Sequence, residues 1–157
     1  MRIVDALQGV RRLAVETAPL IYLVERHPVY VARMRSIMRE IDTGTLAGVT
    51  SVVTLTEVLT MPLKTGRPDI AQAYRNILID SRHFTLVAVD VAIAEHAAEL
   101  RARHNLRTPD ALQVATALQT GCDAFLTNDL GIKRVDEVRV LILDELELDT
   151  SEIEEAR

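Results

Sequence analysis

Apolar residues gather along this chain in two kinds of pattern. Five short runs, at 12–15, 48–53, 84–89, 124–127 and 138–143, are apolar or β-branched almost without interruption. Runs of that length and continuity predict strands covered on both faces, as in a parallel sheet. Between them the apolar residues recur at helical spacing. Tyr30, Met34, Ile37, Met38 and Ile41 share one helical face, and Ile70, Ala73, Tyr74, Ile77 and Leu78 share another. Ile93, Ala97 and Leu100 form a third face, and Ala111, Val114, Ala115 and Leu118 a fourth. Strand and helix alternate, which predicts one α/β domain over residues 1–143, a five-stranded and mostly parallel sheet between helices. Residues 144–157 form an acidic C-terminal tail that is expected to fray.

Ligands of such sheets bind beyond the carboxyl ends of the strands, near a topological switch point. The residues that follow each strand therefore matter most. Glu16 follows the first run and Glu57 closely follows the second. Asp110 opens the helix that leads into the fourth, and Asp129 follows the fourth. Taken singly, each has a structural explanation. Thr54 and Glu57 have the spacing of a capping box. Thr108, Pro109 and Asp110 read as N-cap, N1 and a dipole-compensating acid. Asp129 lies in a turn-forming stretch, where Asp is common, and Glu16 fits a first-turn helix acid.

Taken together they are harder to explain that way. Two carboxylates about 6 Å apart, at an effective dielectric of about 20, repel by roughly 2.8 kcal/mol. Four at one sheet edge require a compensating cation or bound protons. Hard oxygen donors without a His or Cys cluster select Mg²⁺ or Mn²⁺. An ion of that kind can activate water for phosphoryl displacement.

Composition narrows the partners. The chain has 157 residues and one cysteine, Cys122, which suits a reducing cytoplasm and excludes a disulfide framework or cysteine-rich zinc module. His27, His83, His96 and His104 show no zinc spacing. No apolar run is long enough to span a membrane, and the order of charges near the N-terminus is wrong for a secretory signal. The net charge of −5 sits on the tail, whose seven acids and one base leave the remainder near neutral. That argues against nonspecific DNA coating. Five aromatic residues and no tryptophan speak against a base-stacking platform. Lys64, Arg67, Arg107, Lys133 and Arg134 lie near the expected strand-end loops and are candidates for holding RNA phosphates.

Three stretches carry a family resemblance: VETAPLIYLVERHP (15–28), EVLTMPLKTG (57–66) and, most specifically, RTPDALQVATALQTGCDAFLTND (107–129). Over nearly its whole length the chain resembles the PIN-domain ribonucleases, especially the toxin nucleases of VapBC toxin–antitoxin pairs. The resemblance implies a metal-dependent endoribonuclease that hydrolyses RNA phosphodiesters with metal-activated water. It also implies a cytoplasmic toxin, a homodimer, restrained by a small antitoxin. Glu57, Asp110 and Asp129 match family metal-site acids, with Thr127 and Asn128 beside the last acid and Thr17 supporting the metal-bound water or phosphate. Residues 20–41 and 57–80 would form the antitoxin clamp and part of the dimer face.

The chain departs from the family at Glu16, where Asp is usual. The longer side chain shifts the carboxylate by about 1.5 Å, and Mg²⁺ demands near-ideal octahedral geometry. The departure implies a weakened site that prefers Mn²⁺, or, alternatively, an inactive scaffold acting by partner binding. A receiver-like signalling domain fits less well. One acid follows the first strand, no lysine follows Leu143, and Asp90 reads as a helix N-cap.

Overall fold

A computed structural model of the chain describes residues 1–155. The strands are β1 (Arg12–Val15), β2 (Ala47–Ser51), β3 (Phe84–Val87), β4 (Ala124–Thr127) and β5 (Arg139–Ile142). They form a single sheet of order β3-β2-β1-β4-β5, and every pairing is parallel. The helices are α1 (Ile3–Ala6), α2 (Thr17–Val24), α3 (Val31–Asp42), α4 (Val52–Lys64), α5 (Pro68–Leu78), α6 (Val91–His104), α7 (Thr108–Gln119) and α8 (Thr150–Glu155).

Alternation along the central strands divides the core. Leu13 and Val15 of β1, with Ala124 and Leu126 of β4, face a cluster built from α2, α3, α4 and α5. Ala14 and Phe125 face the opposite cluster, built mainly from α6 and α7. A strand of period two covered by helices on both sides needs apolar residues at every position, which is why these strands read as unbroken runs. The expected helix faces are buried as well: Met34, Ile37, Met38 and Ile41 on α3, and Tyr74 and Leu78 on α5.

Close packing fixes one glycine. A Cβ at Gly48 of β2 would stand 2.5 Å from the Phe84 ring and 3.0 Å from Ile41 Cδ1. Phe84 is itself buried against the same core. Gly48→Ala is therefore expected to cost about 1–3 kcal/mol by overpacking. Thermal melting should show a midpoint several degrees lower; an unchanged midpoint would mean that Phe84 moves aside freely.

Several element ends differ from expectation for local reasons. The second run was expected to stay extended to Val53, but α4 begins at Val52, directly after the strand. The Ser51 hydroxyl accepts the Val53 N–H at 3.1 Å and caps the helix. The capping box expected at Thr54 and Glu57 therefore does not form, and both residues lie inside the helix. Asp90 does cap α6, accepting the Ile93 N–H at 2.8 Å.

The segment after Leu143 packs back on the body instead of fraying. Leu146 is buried, the Ile3 N–H donates to the Glu147 carbonyl at 2.9 Å, and Glu152 accepts the Ser36 hydroxyl at 2.8 Å. Burying Leu146 ties an acidic stretch that charge alone would leave in water. Residues 156 and 157 of the expected tail lie outside the described residues. No helix among the described residues is long and apolar enough to cross a membrane.

Candidate active site

The strand order changes direction at β1. The chain steps outward through β2 and β3, then returns to pair β4 on the other side of β1. The crevice at the carboxyl ends of β1 and β4 is thus the switch point where α/β sheets bind ligands. Glu16 leaves β1 there and Asp129 follows β4. α4 brings Glu57 and the first turn of α7 brings Asp110. All four carboxylates line one open cleft of about 330 Å³, with Thr17, Ala18, Ile21, Tyr22, Arg107 and Asn128.

Glu16 sits at the N-cap position of α2 but makes no cap hydrogen bond. Its carboxylate instead accepts from the hydroxyl of Thr127, a fully buried residue. Thr127 Oγ1 in turn accepts the Asp129 N–H at 3.0 Å, and Asp129 accepts the Gly131 N–H at 2.8 Å. So the turn read at Asp129 is present, and one hydroxyl joins the first and last acids. Asp110 is only 9 % exposed, and the Arg107 guanidinium donates to it at 3.1 Å. Thr108 was expected as the cap of α7; Arg107 holds that position without a side-chain cap bond.

A second layer of hydroxyls supports these groups. Thr17 Oγ1 lies 3.0 Å from Thr54 Oγ1, which accepts from Gln113 Nε2 at 2.6 Å. Thr50 Oγ1 donates to the Val15 carbonyl at 2.8 Å and lies 2.9 Å from Thr54 Oγ1. All four residues are buried. Such a network fixes β1, β2, α4 and α7 against one another at the base of the cleft, and a buried polar network that is satisfied is rigid. Sequence reading missed Thr50 and Gln113 and took Thr54 for a helix cap. The spacing from Thr50 to Thr54 was the available signal, because it puts both hydroxyls on one side of a strand-to-helix junction.

The charges in the cleft work against one another. Burial pushes the Glu16 carboxyl up to about 7; the Thr127 hydroxyl opposes this, and the charges of Asp110, Asp129 and Glu57 add to the rise. Burial, then the charge of Asp110, also raises Glu57, with the Thr17 hydroxyl and Arg107 opposing. A buried carboxylate surrounded by three others is a group short of a cation. The donors are carboxylate and hydroxyl oxygens, the set that hard divalent ions prefer. Glu16, Glu57, Asp110 and Asp129 are the candidates to hold one, although among the described residues no three of them bring ligand oxygens within 4.8 Å of one another.

Of the five cationic candidates for RNA phosphates, the structure places Arg107 on the cleft wall. Arg67 pairs with Asp69 and lines a separate hollow with Val24, Glu25 and Met61. Lys64 ends α4, exposed to solvent. Lys133 pairs with Glu145, and Arg134 donates to the Asn105 carbonyl at 3.2 Å.

Two other acidic places differ in character. Among the described residues, three possible metal-ligand atoms come within 4.8 Å of one another at His104, Asp136 and Glu137. There Arg103 already neutralises Glu137, and His104 Nε2 lies 2.8 Å from the same carboxylate. The group is an ion-pair network tying the end of α6 to the approach to β5. A hollow of about 540 Å³ is lined by Asp5, Glu40, Asp149 and Glu152, but it lies beside Val10 and Leu46, at the amino ends of β1 and β2. Arg2 pairs with Asp5 there, and Arg39 with Glu152.

Known structures share this architecture. VapBC2 from Rickettsia felis, bound to a DNA fragment from its promoter, superposes with a TM-score of 0.67 at 15 % identity, covering 83 % of this chain and 98 % of that one. VapC20 of Mycobacterium tuberculosis, a toxin that cleaves the sarcin–ricin loop, gives 0.63 at 19 % identity over 81 % and 98 %. A toxin–antitoxin complex from Klebsiella pneumoniae gives 0.62 at 20 % identity over 83 % and 97 %. No curated protein matches the chain in sequence. At these identities the likeness is one of fold. The sequence pattern of the PIN domain, however, matches residues 13–138, from β1 to the approach to β5 and so across all four acids. The chain belongs to the PIN domain family.

Proposed function

We propose that this chain is a metal-dependent endoribonuclease, a toxin of the VapC kind held in check by a protein antitoxin. The observation that carries the reading is the cleft at the β1–β4 switch point, where Glu16, Glu57, Asp110 and Asp129 face one opening. A bound Mg²⁺ or Mn²⁺ there would neutralise phosphate charge and lower the pKa of a water. The surrounding residues divide the remaining work. Thr127 holds the Glu16 carboxylate in place through its hydroxyl. Thr17, braced by Thr54, presents a fixed hydroxyl at the cleft wall. Arg107 carries positive charge at the cleft and is free to turn from Asp110 to a phosphate, since its side chain is 79 % exposed. The fold likeness to VapC20, a toxin that cleaves the sarcin–ricin loop, supports RNA as substrate. The likeness to toxin–antitoxin complexes supports an antitoxin partner. A cytoplasmic homodimer is part of the same proposal.

The test is cleavage of a single-stranded RNA by the purified chain with Mn²⁺, with Mg²⁺, and with chelator. Cleavage should require metal, stop with chelator and return when Mn²⁺ is restored in excess. Cleavage that continues unchanged in chelator would contradict the proposal.

A further inference from the structure

The acidic cleft has a difficulty as an RNA site. Its four carboxylates repel phosphate, and Arg107 alone of the sequence's cationic candidates lines it. Even with divalent charge added, electrostatic capture of the backbone is thin. Affinity has to come from the uncharged parts of the RNA, the riboses and the bases, and of these the bases offer faces on which aromatic rings stack.

A surface suited to bases stands at the cleft. Tyr22, on α2, lines the cleft with Glu16, Asp110 and Asp129. Its ring stacks on that of Tyr30, with centroids 4.8 Å apart and planes at 28°. His27 lies 4.8 Å from each of them. The chain is bent to achieve this. Arg26 takes the left-handed conformation at φ 55°, and the His27 N–H returns to the Tyr22 carbonyl at 2.9 Å. Val29 N–H donates to His27 Nδ1 at 3.2 Å, which fixes the ring. Arg33 lies 5.5 Å over the Tyr30 ring. The Tyr30 hydroxyl donates to Asp144 at 2.8 Å, and the Asp144 N–H donates to Asn128 Oδ1 at 2.9 Å. The aromatic group is therefore tied to the turn that carries Asp129. All three rings are only half-buried.

A plain structural reading would have the rings close the turn between α2 and α3. That does not account for Tyr22 reaching into the cleft, nor for the tie from Tyr30 through Asp144 to Asn128. We propose that Tyr22, backed by Tyr30 and His27, is a stacking platform that holds one base of single-stranded RNA beside the scissile phosphate. This rests on the ribonuclease reading and goes further, since it assigns where substrate affinity resides. It also revises the expectation drawn from aromatic content. A platform needs only a few rings, and two tyrosines and a histidine gathered at one place suffice.

The experiment uses the full chain and a short RNA carrying 2-aminopurine, whose fluorescence falls on stacking. Tyr22→Phe should bind within about twofold of the parent and quench equally, since the ring is kept. Tyr22→Leu should weaken binding by roughly tenfold or more and lose the quench. Its salt dependence should stay parallel to that of the parent, because no phosphate contact is removed. In cleavage the loss should fall on KM rather than kcat. Equal binding and quenching by Tyr22→Leu would overturn the platform, as would equal weakening by Phe and Leu, or failure of the parent to bind RNA. Chelator-sensitive cleavage indifferent to Tyr22 sinks the platform alone. Tyr22-dependent quenching with chelator-insensitive cleavage sinks the metal-dependent reading and leaves the platform standing.

Discussion

Asp110→Asn is expected to lower metal-supported RNA cleavage by about a hundredfold or more while leaving the fold intact. Asn occupies the same space, and its side-chain oxygen can still accept from Arg107, which now donates at 3.1 Å. What disappears is one negative charge among four. A cation that supplies several kcal/mol of charge stabilisation to a phosphoryl transition state needs each of the carboxylates that hold it. A deficit of roughly 3 kcal/mol is about a hundredfold in rate. Stability should change little without metal. The pair with Arg107 is worth little because the arginine is 79 % exposed, and its loss is offset by relief of repulsion with Glu16 and Glu57. The check is kcat for both proteins, prepared identically, beside their melting curves with and without Mn²⁺. The parent should melt higher with metal by linkage, and the variant should show a smaller rise. Equal cleavage rates would place the chemistry elsewhere or in a contaminant.

The sheet was legible in the sequence because its physics is local. A strand covered on both faces must be apolar at every position, and a helix covered on one face must repeat at three or four. Leu13, Ala14 and Val15, or Ala124, Phe125 and Leu126, have no other comfortable place. The four acids were legible for a related reason, since each follows or faces a strand end. The start of α4 was less legible. Ser51 and Thr54 are both good caps, and the choice between them depends on Thr54 being drawn into bonds with Thr17, Thr50 and Gln113 from three other elements. Windows along the chain do not contain those partners. The same limit explains the cationic residues. Lys133 and Arg134 sit near Asp129 in sequence, but the short helical turn Leu130–Arg134 carries them to Glu145 and Asn105. The segment after Leu143 was judged by its charge, whereas Leu146 in the core and Asp144 between Tyr30 and Asn128 decide its position.

Glu16 should make the metal-free protein lose stability as pH rises from about 5 to 8. Its carboxyl is pushed from 4.5 in the unfolded chain up to about 7 in the folded one. A raised carboxylate means that the folded state holds a proton the unfolded state has released, so stability falls with pH through this window and levels off above it. The full shift corresponds to at most about 3 kcal/mol. Glu57, also raised, adds a slope of the same sign. Asp123 and Glu137 are held low by their hydrogen-bonding partners, so their stabilisation is lost only under more acidic conditions and does not offset this slope. Glu16→Gln removes the titrating group yet keeps an acceptor for the Thr127 hydroxyl. The variant should be more stable than the parent at pH 8, similar at pH 5, and lose less between them, keeping only the slope that Glu57 contributes. Urea unfolding at several pH values, in chelator, measures this directly. With Mn²⁺ the order at pH 8 should reverse, because the parent gains binding energy from the carboxylate that the variant has lost. A parent that is equally stable at pH 5 and 8 in chelator would show that water reaches Glu16 freely, and the repulsion that makes this cleft a cation site would then be much weaker than the buried geometry implies.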